Sequence, residues 1–145
     1  MCSAGRKTLF DKLRSLLHPR KQAPSFTRLT RRVQDEFERL DILIPAWIEN
    51  KGYWTPARTI KDVAAQIGTD ATILQRYCHE KMNVDFRSWR TRLRVEDAKQ
   101  MLLDNPEASA NSIAYKVGFS DRSNFLRQFR ACVGMTPVEW RERNA

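Results

Sequence analysis

Thr59-Ile-Lys-Asp-Val-Ala-Ala-Gln-Ile-Gly68-Thr-Asp70-Ala-Thr-Ile-Leu-Gln-Arg-Tyr-Cys78 decides the fold, because two helix starts and one sharp turn can be read in it. Thr59 offers a side-chain oxygen to cap a helix through Ile67, on which Ile60, Val63, Ala64 and Ile67 share one face. Gly68 then takes a positive φ without the steric cost of a Cβ, which lets the chain turn sharply. Asp70 caps a second helix that runs to about Lys81 with Ile73, Leu74, Tyr77 and Cys78 inward. Two short helices joined by a glycine turn of this length form a helix-turn-helix.

Working outward, the pattern comes twice. A helix over 85–104 carries Phe86, Trp89, Leu93, Val95, Ala98, Met101 and Leu102 in register, and Asn105-Pro106 closes it. Ser109 then caps a helix through Val117 with Ile113 and Ala114 inward, and Gly118 makes the turn. The following helix, capped by Ser120 or Asp121, buries Phe125, Leu126 and Phe129; a last helix begins at Thr136-Pro137 and buries Trp140. Superposing Gly118 on Gly68 brings Ile113-Ala114 onto Val63-Ala64 and Leu74 near Asn124-Phe125, so one motif is present in two copies. A linker helix of about 30 Å matches the roughly 34 Å between successive major grooves on one face of B-DNA. The second helices expose polar types that suit base edges: Thr72, Gln75, Arg76 and His79 on one, Arg122, Ser123, Asn124, Arg127 and Arg130 on the other. A solvated polar face is the competing reading of both. Lys81, Arg87, Arg90, Lys116 and Arg130 are candidates for phosphate contact.

Upstream, the phase of the apolar residues continues but the chemistry changes. Phe26, Leu29, Val33, Phe37, Leu40 and Leu43 or Ile44 repeat at about 3.5 residues from a Ser25 cap until Pro45. This stripe packs on its own domain or, as the alternative, forms a homodimer seam through 26–44. Trp47, Ile48, Tyr53 and Trp54 follow as an aromatic cluster around Gly52, which reads as core rather than a base-stacking platform. Residues 19–25 read as a linker, and 7–17 as an amphipathic helix through Leu9, Phe10, Leu13, Leu16 and Leu17. Docked helix, frayed tail and contact with an anionic membrane surface by 1–24 all stay open for that first segment.

The 145 residues are 41% hydrophobic and 30% charged, enough for one core-bearing domain or two small ones, and not the composition of a disordered chain. The net charge of +9 points to a polyanionic partner, but its distribution is uneven. Residues 1–32 hold nine basic side chains against Asp11 alone, so +8 of the +9 sits there. A nucleic-acid role for the C-terminal part must therefore rest on where its basic residues point. Cys2, Cys78 and Cys132 are odd in number and far apart, and His18 and His79 stand alone, so no metal site is expected. Cys78 and Cys132 fall at apolar positions and read as buried free thiols. With no phosphate-cradling glycine loop, G-x-S-x-G or H-E-x-x-H, neither an enzyme nor a cofactor is expected. No secretory signal and no apolar run approaching about 20 residues can be read, which places the chain in the cytoplasm, or tethered to a membrane if it is a piece of a longer protein.

The stretch Ser112-Ile-Ala-Tyr-Lys-Val-Gly-Phe-Ser-Asp-Arg-Ser-Asn-Phe-Leu-Arg-Gln-Phe-Arg-Ala-Cys-Val-Gly-Met-Thr-Pro-Val-Glu-Trp-Arg141 strongly resembles the C-terminal signature of the AraC family of bacterial transcription regulators. The resemblance extends through Arg94 and Ala98 to Val63-Ala64 and covers about 60–143. It implies an all-α unit of seven helices, two helix-turn-helix subdomains on a long linker helix, here with a helical N-terminal extension. It also implies sequence-specific binding to double-stranded promoter DNA, usually with activation and RNA polymerase as a further partner. The family's base-contacting positions fall on Thr72, Gln75 and Arg76, and on Arg122, Ser123, Asn124 and Arg127. Cys78 stands where the family commonly has an aromatic residue and Ala110 where it prefers a larger aliphatic one, so looser packing is expected there. Residues 1–58 are too short for a sugar-binding barrel, which makes this a minimal member or a segment of a longer protein. The expected division is 1–24, a basic amphipathic segment and linker; 25–58, the helical extension; and 59–145, the bipartite domain. The competing functions are the DNA-targeting part of an alkyl-transfer repair protein, which needs an activated thiol, and a protein-interaction module that has lost DNA binding.

Overall fold

The computed structural model describes residues 31–56 and 58–145. Among the described residues there are seven α-helices, one 3-10 turn and no strand. In order they are α1 (Arg31–Glu49), the 3-10 turn (Gly52–Trp54), α2 (Ile60–Ile67), α3 (Ala71–Met82), α4 (Phe86–Asp104), α5 (Ala110–Lys116), α6 (Arg122–Val133) and α7 (Pro137–Asn144). The expected amphipathic helix over 7–17, the linker over 19–25, the Ser25 cap, Phe26 and Leu29 lie outside the described residues.

Local chemistry starts and stops these helices where the sequence predicts. Thr59 and Asp62 form a reciprocal capping box at α2, and Thr136 and Glu139 form another at α7 with Pro137 in the first turn. Asp70, Asp85 and Ser109 each cap the next helix by accepting backbone N–H groups, typically about 1 kcal/mol apiece. Of the two alternatives at α6 it is Asp121, with its carboxylate 2.7 Å from the Asn124 N–H. Gly68 and Gly118 both end the first helix of their motif with positive φ, +95° and +104°. Asn83 does the same for α3 at φ +50°, a left-handed stop that the pattern did not predict.

The helix expected to stop at Pro45 instead runs through it to Glu49. Proline removes one helical hydrogen bond and crowds the preceding turn, at a cost of about 3 kcal/mol. Leu40 and Ile44 before it and Trp47 and Ile48 after it are all buried, each contributing roughly 1.5–3 kcal/mol, so burial on both sides outweighs the break. Val33, Phe37, Leu40, Leu43 and Ile44 therefore pack in the chain's own core, which supports intramolecular packing for the described part of the 26–44 stripe.

The apolar residues form two clusters. The first joins α1, the 3-10 turn, α2, α3 and the start of α4, from Phe37 to Leu93; the second joins the rest of α4 to α5 and α6, from Val95 to Phe129. Leu93 and Val95 thus lie in different cores although two residues apart on α4, and Trp54 packs against both clusters. Cys78 is fully buried in the first, and Ala110 packs at the edge of the second. Cys132 departs from expectation: it is exposed. The inward face of α6 is carried by Phe125 and Phe129, and Cys132 falls to the flank that faces a groove against α4.

Candidate nucleic-acid interface

The two motifs differ by one residue in their turns. Helix α3 begins three residues after Gly68 and α6 begins four after Gly118, so equivalent positions on the second helices lie 51 apart rather than 50. Leu74 then pairs with Phe125 and Cys78 with Phe129, all four with no exposed surface. On the outer faces, Thr72 pairs with Ser123 and Arg76 with Arg127. Helix geometry places Thr72, Arg76 and His79 about opposite the buried Leu74 and Cys78, and it does the same for Ser123, Arg127 and Arg130.

Thr72, Gln75, Arg122, Ser123 and Arg127 are exposed; Arg76 and Asn124 are half-buried. Arg76 Nε lies 2.6 Å from Glu80 Oε1 one turn on, an ion pair that engages one edge of its guanidinium in the free protein. Arg127 instead donates from Nη2 to Asn124 Oδ1 at 3.0 Å, leaving Asn124 its amide N–H groups for a ligand. Each second helix carries an aspartate cap at the end where a reading helix approaches base edges.

Of the phosphate candidates, Arg87, Lys116 and Arg130 are exposed, and Lys81 is exposed with Asp41 Oδ2 at 3.9 Å. Arg90 is half-buried; its Nη1 donates to the Arg58 carbonyl and its guanidinium lies 5.3 Å from the Phe86 ring. Burial first, and then Arg87, lower its pKa. A cleft of about 510 Å³ between α4 and α6 is lined by Arg87, Thr91, Arg92, Glu96, Gln128 and Cys132, among others. Burial on the cleft side raises the Cys132 thiol although the residue is exposed, and burial pushes the Cys78 thiol up to about 12. Neither thiol has the lowered pKa of a reactive nucleophile.

The groups that join the motifs lie outside the sequence pattern. Asp97, 8% exposed, accepts from Tyr53 Oη at 2.5 Å, Trp54 Nε1 at 2.7 Å and Lys51 Nζ at 3.0 Å. Arg94, also 8% exposed, donates from Nε to the Tyr53 carbonyl at 2.5 Å and from Nη2 to the Thr55 carbonyl at 2.9 Å. Burial first, then Arg90, lower its pKa to about 10, which leaves it charged near neutrality. An arginine and an aspartate set among Leu93, Val95 and Ala98 were the available signal, because buried charges need partners.

A protein-family model described as "Helix-turn-helix domain" matches residues 63–143, more than half of the chain. The HTH-type transcriptional activator RhaS of Escherichia coli O1:K1 / APEC is 31% identical over 140 residues, covering 97% of this chain and 46% of that protein. The chain thus spans about half the length of the curated relatives it matches. Among solved structures, the C-terminal domain of the two-component response regulator yesN from Fusobacterium nucleatum is 26% identical with a TM-score of 0.62, covering 70% of this chain and 96% of that one. A transcriptional regulator from Chromobacterium violaceum, described by its AraC-type DNA-binding domain, shares the fold at 21% identity and a TM-score of 0.62, covering 77% and 96%. With two helix-turn-helices on one linker helix and a family match over most of that unit, the chain belongs to the AraC family and carries its C-terminal DNA-binding domain.

Proposed function

We propose that this chain binds double-stranded promoter DNA in a sequence-specific way and activates transcription, with α3 and α6 in successive major grooves. The observation that carries the reading is the equivalence of the two second helices, which present Thr72 and Ser123, and Arg76 and Arg127, at matching outward positions. Thr72, Gln75, Arg76, Arg122, Ser123, Asn124 and Arg127 read base edges: arginine bidentate to guanine, Gln75 and Asn124 to adenine. Lys81, Arg87, Lys116 and Arg130 hold phosphates, and Arg90 joins them only if it releases the Arg58 carbonyl. Activation and RNA polymerase as a partner rest on the likeness to an activator, and the cytoplasm is where such a regulator meets its promoter.

Catalysis is not part of this reading. Alkyl transfer needs a thiolate, and burial raises the pKa of both described thiols. Gel-shift titration of the full chain on random-sequence duplex at low salt, followed by selection of tight binders from the same library, tests the proposal. Binding that weakens with salt and a selected bipartite sequence are expected. No shift at any salt would leave the protein-interaction reading in its place.

A further inference from the structure

Among the described residues only Trp54 packs against both cores, so whatever holds Trp54 in place sets the angle between the recognition helices. A single helix bends at small cost, and α4 passes from one core to the other between Leu93 and Val95. Residues 51–55 run across that point.

We propose that this segment is a staple, with Asp97 as its hub, that holds α3 and α6 at one separation and pitch and so determines the half-site spacing the protein accepts. The inference rests on the DNA-binding reading above. Tyr53 anchors the staple to the first core, fully buried with its ring 5.9 Å from that of Trp47. Asp97 ties it to α4 through three donors from Lys51, Tyr53 and Trp54, and Arg94 ties its carbonyls to the same helix one turn earlier. The second motif touches it directly. A Cβ on Gly118 would stand 2.2 Å from the Trp54 carbonyl oxygen, and the Arg94 guanidinium lies 5.7 Å from the ring of Phe119 in that motif's turn. The turn of one helix-turn-helix is thereby seated on a strap rooted in the other. Asp97 and Arg94 are positioning residues: they lie inside the protein, in contact with the strap rather than with the outward faces of α3 and α6.

One base pair more or less between half-sites changes their separation by about 3.4 Å and rotates one against the other by roughly a tenth of a turn. A stapled domain rejects that change, and an unstapled one follows it. The experiment compares the full chain with Asp97→Asn and Trp54→Phe, each first checked for unchanged helix content. Duplexes selected by the wild type from a random library are remade with one base pair inserted or deleted between half-sites. In parallel, spin labels at His79→Cys and Arg130→Cys, equivalent exposed positions of α3 and α6, report the distance between the helices without DNA; Cys2→Ser and Cys132→Ser remove competing thiols, and buried Cys78 stays.

The staple predicts a narrow distance distribution in the wild type and at least a tenfold preference for the selected spacing. Both variants should broaden the distribution and cut the preference to about threefold, with binding to an isolated half-site unchanged. Variants as narrow and as strict as the wild type would overturn the proposal, as would a wild type already broad or indifferent to spacing. If the wild type selects no duplex, the DNA-binding reading fails and the distance distributions alone decide the staple. Loss of helix content in both variants would assign these residues to folding and overturn the positioning role.

Discussion

Arg76 and Arg127 stand at the sixth position of α3 and of α6, the same place in two copies of one motif, yet only Arg76 is ion-paired, to Glu80 at 2.6 Å. Arg127 bonds the neutral Asn124 instead. The duplication therefore conserves position and not electrostatics: Arg76 is held by a carboxylate on its Nε with both Nη groups left for a base, whereas Arg127 spends Nη2 on an amide.

Both Arg76→Ala and Arg127→Ala should lower affinity for the selected site by about 1–3 kcal/mol and relax preference at one base pair. Thermal stability should stay within roughly 0.5 kcal/mol, since an exposed ion pair one turn apart contributes little. Lys116→Ala should weaken all sequences alike. Titrations against every single-base variant of the site, with a melting curve per protein, separate these effects. Equal losses for Arg76→Ala on selected and random DNA would make Arg76 a phosphate contact.

Gly118→Ala and Gly68→Ala test the seating of the second motif by thermal unfolding. Both glycines have φ near +100°, but a Cβ at Gly68 meets open space and one at Gly118 meets the Trp54 carbonyl oxygen. Gly68→Ala should cost about 1–2 kcal/mol from backbone strain alone. Gly118→Ala should cost at least about 3 kcal/mol, because backbone must shift as well. Similar losses at the two sites would mean that the staple yields easily.

The contrast between these glycines also shows what could be read in the sequence. Both turns, the caps at Thr59 and Thr136 and the Asp70 cap are local chemistry within four residues, and all are where the sequence places them. The two-motif plan followed from that punctuation. The seating of Gly118 under Trp54 joins residues 64 positions apart, and the Asp97 hub reaches back 43 to 46, distances over which no periodicity carries information. Pro45 misled because a local helix breaker was outweighed by burial on both sides. Cys132 misled because helix phase puts it beside Phe125 and Phe129, but a cleft against α4 opens at that point. The outward types at Thr72, Gln75 and Arg127 were legible from helix phase, whereas the Glu80 partner of Arg76 depends on rotamers that phase leaves open.

Alkali should destabilise the protein through Cys78. Its folded pKa, about 12, lies above the ordinary 9.0, so the folded state binds this proton more tightly. The associated stability is complete below pH 9 and is lost as pH rises toward 12, at up to about 1.4 kcal/mol per pH unit. Cys132, also raised by burial, adds to the loss over the same range. Tyr53, raised by burial and Asp97, adds above its ordinary value of 10.0, and Arg94, lowered to about 10, opposes them from that pH upward. Urea unfolding between pH 9 and 10 should show a decline in the wild type that Cys78→Ala flattens in part, the remainder belonging to Cys132. An unchanged slope in the variant would show that Cys78 is not the titrating group.

Deleting residues 1–24 removes most of the basic excess that precedes α1. Binding to all duplexes should weaken by a similar factor and the salt slope should flatten, with sequence preference intact. Titrations at several salt concentrations decide this. A slope unchanged by the deletion would show that the segment makes no phosphate contacts and would favour its contact with an anionic membrane surface.

On the proposed reading, α3 and α6 enter successive major grooves on one side of the duplex. Methylation protection of guanine N7 on the selected site, which reports major-groove occupancy base by base, measures it most directly. Two protected segments about one helical turn apart on one DNA face are expected, the first lost with Arg76→Ala and the second with Arg127→Ala. Protection confined to a single segment, unaffected by one of the two substitutions, would contradict it.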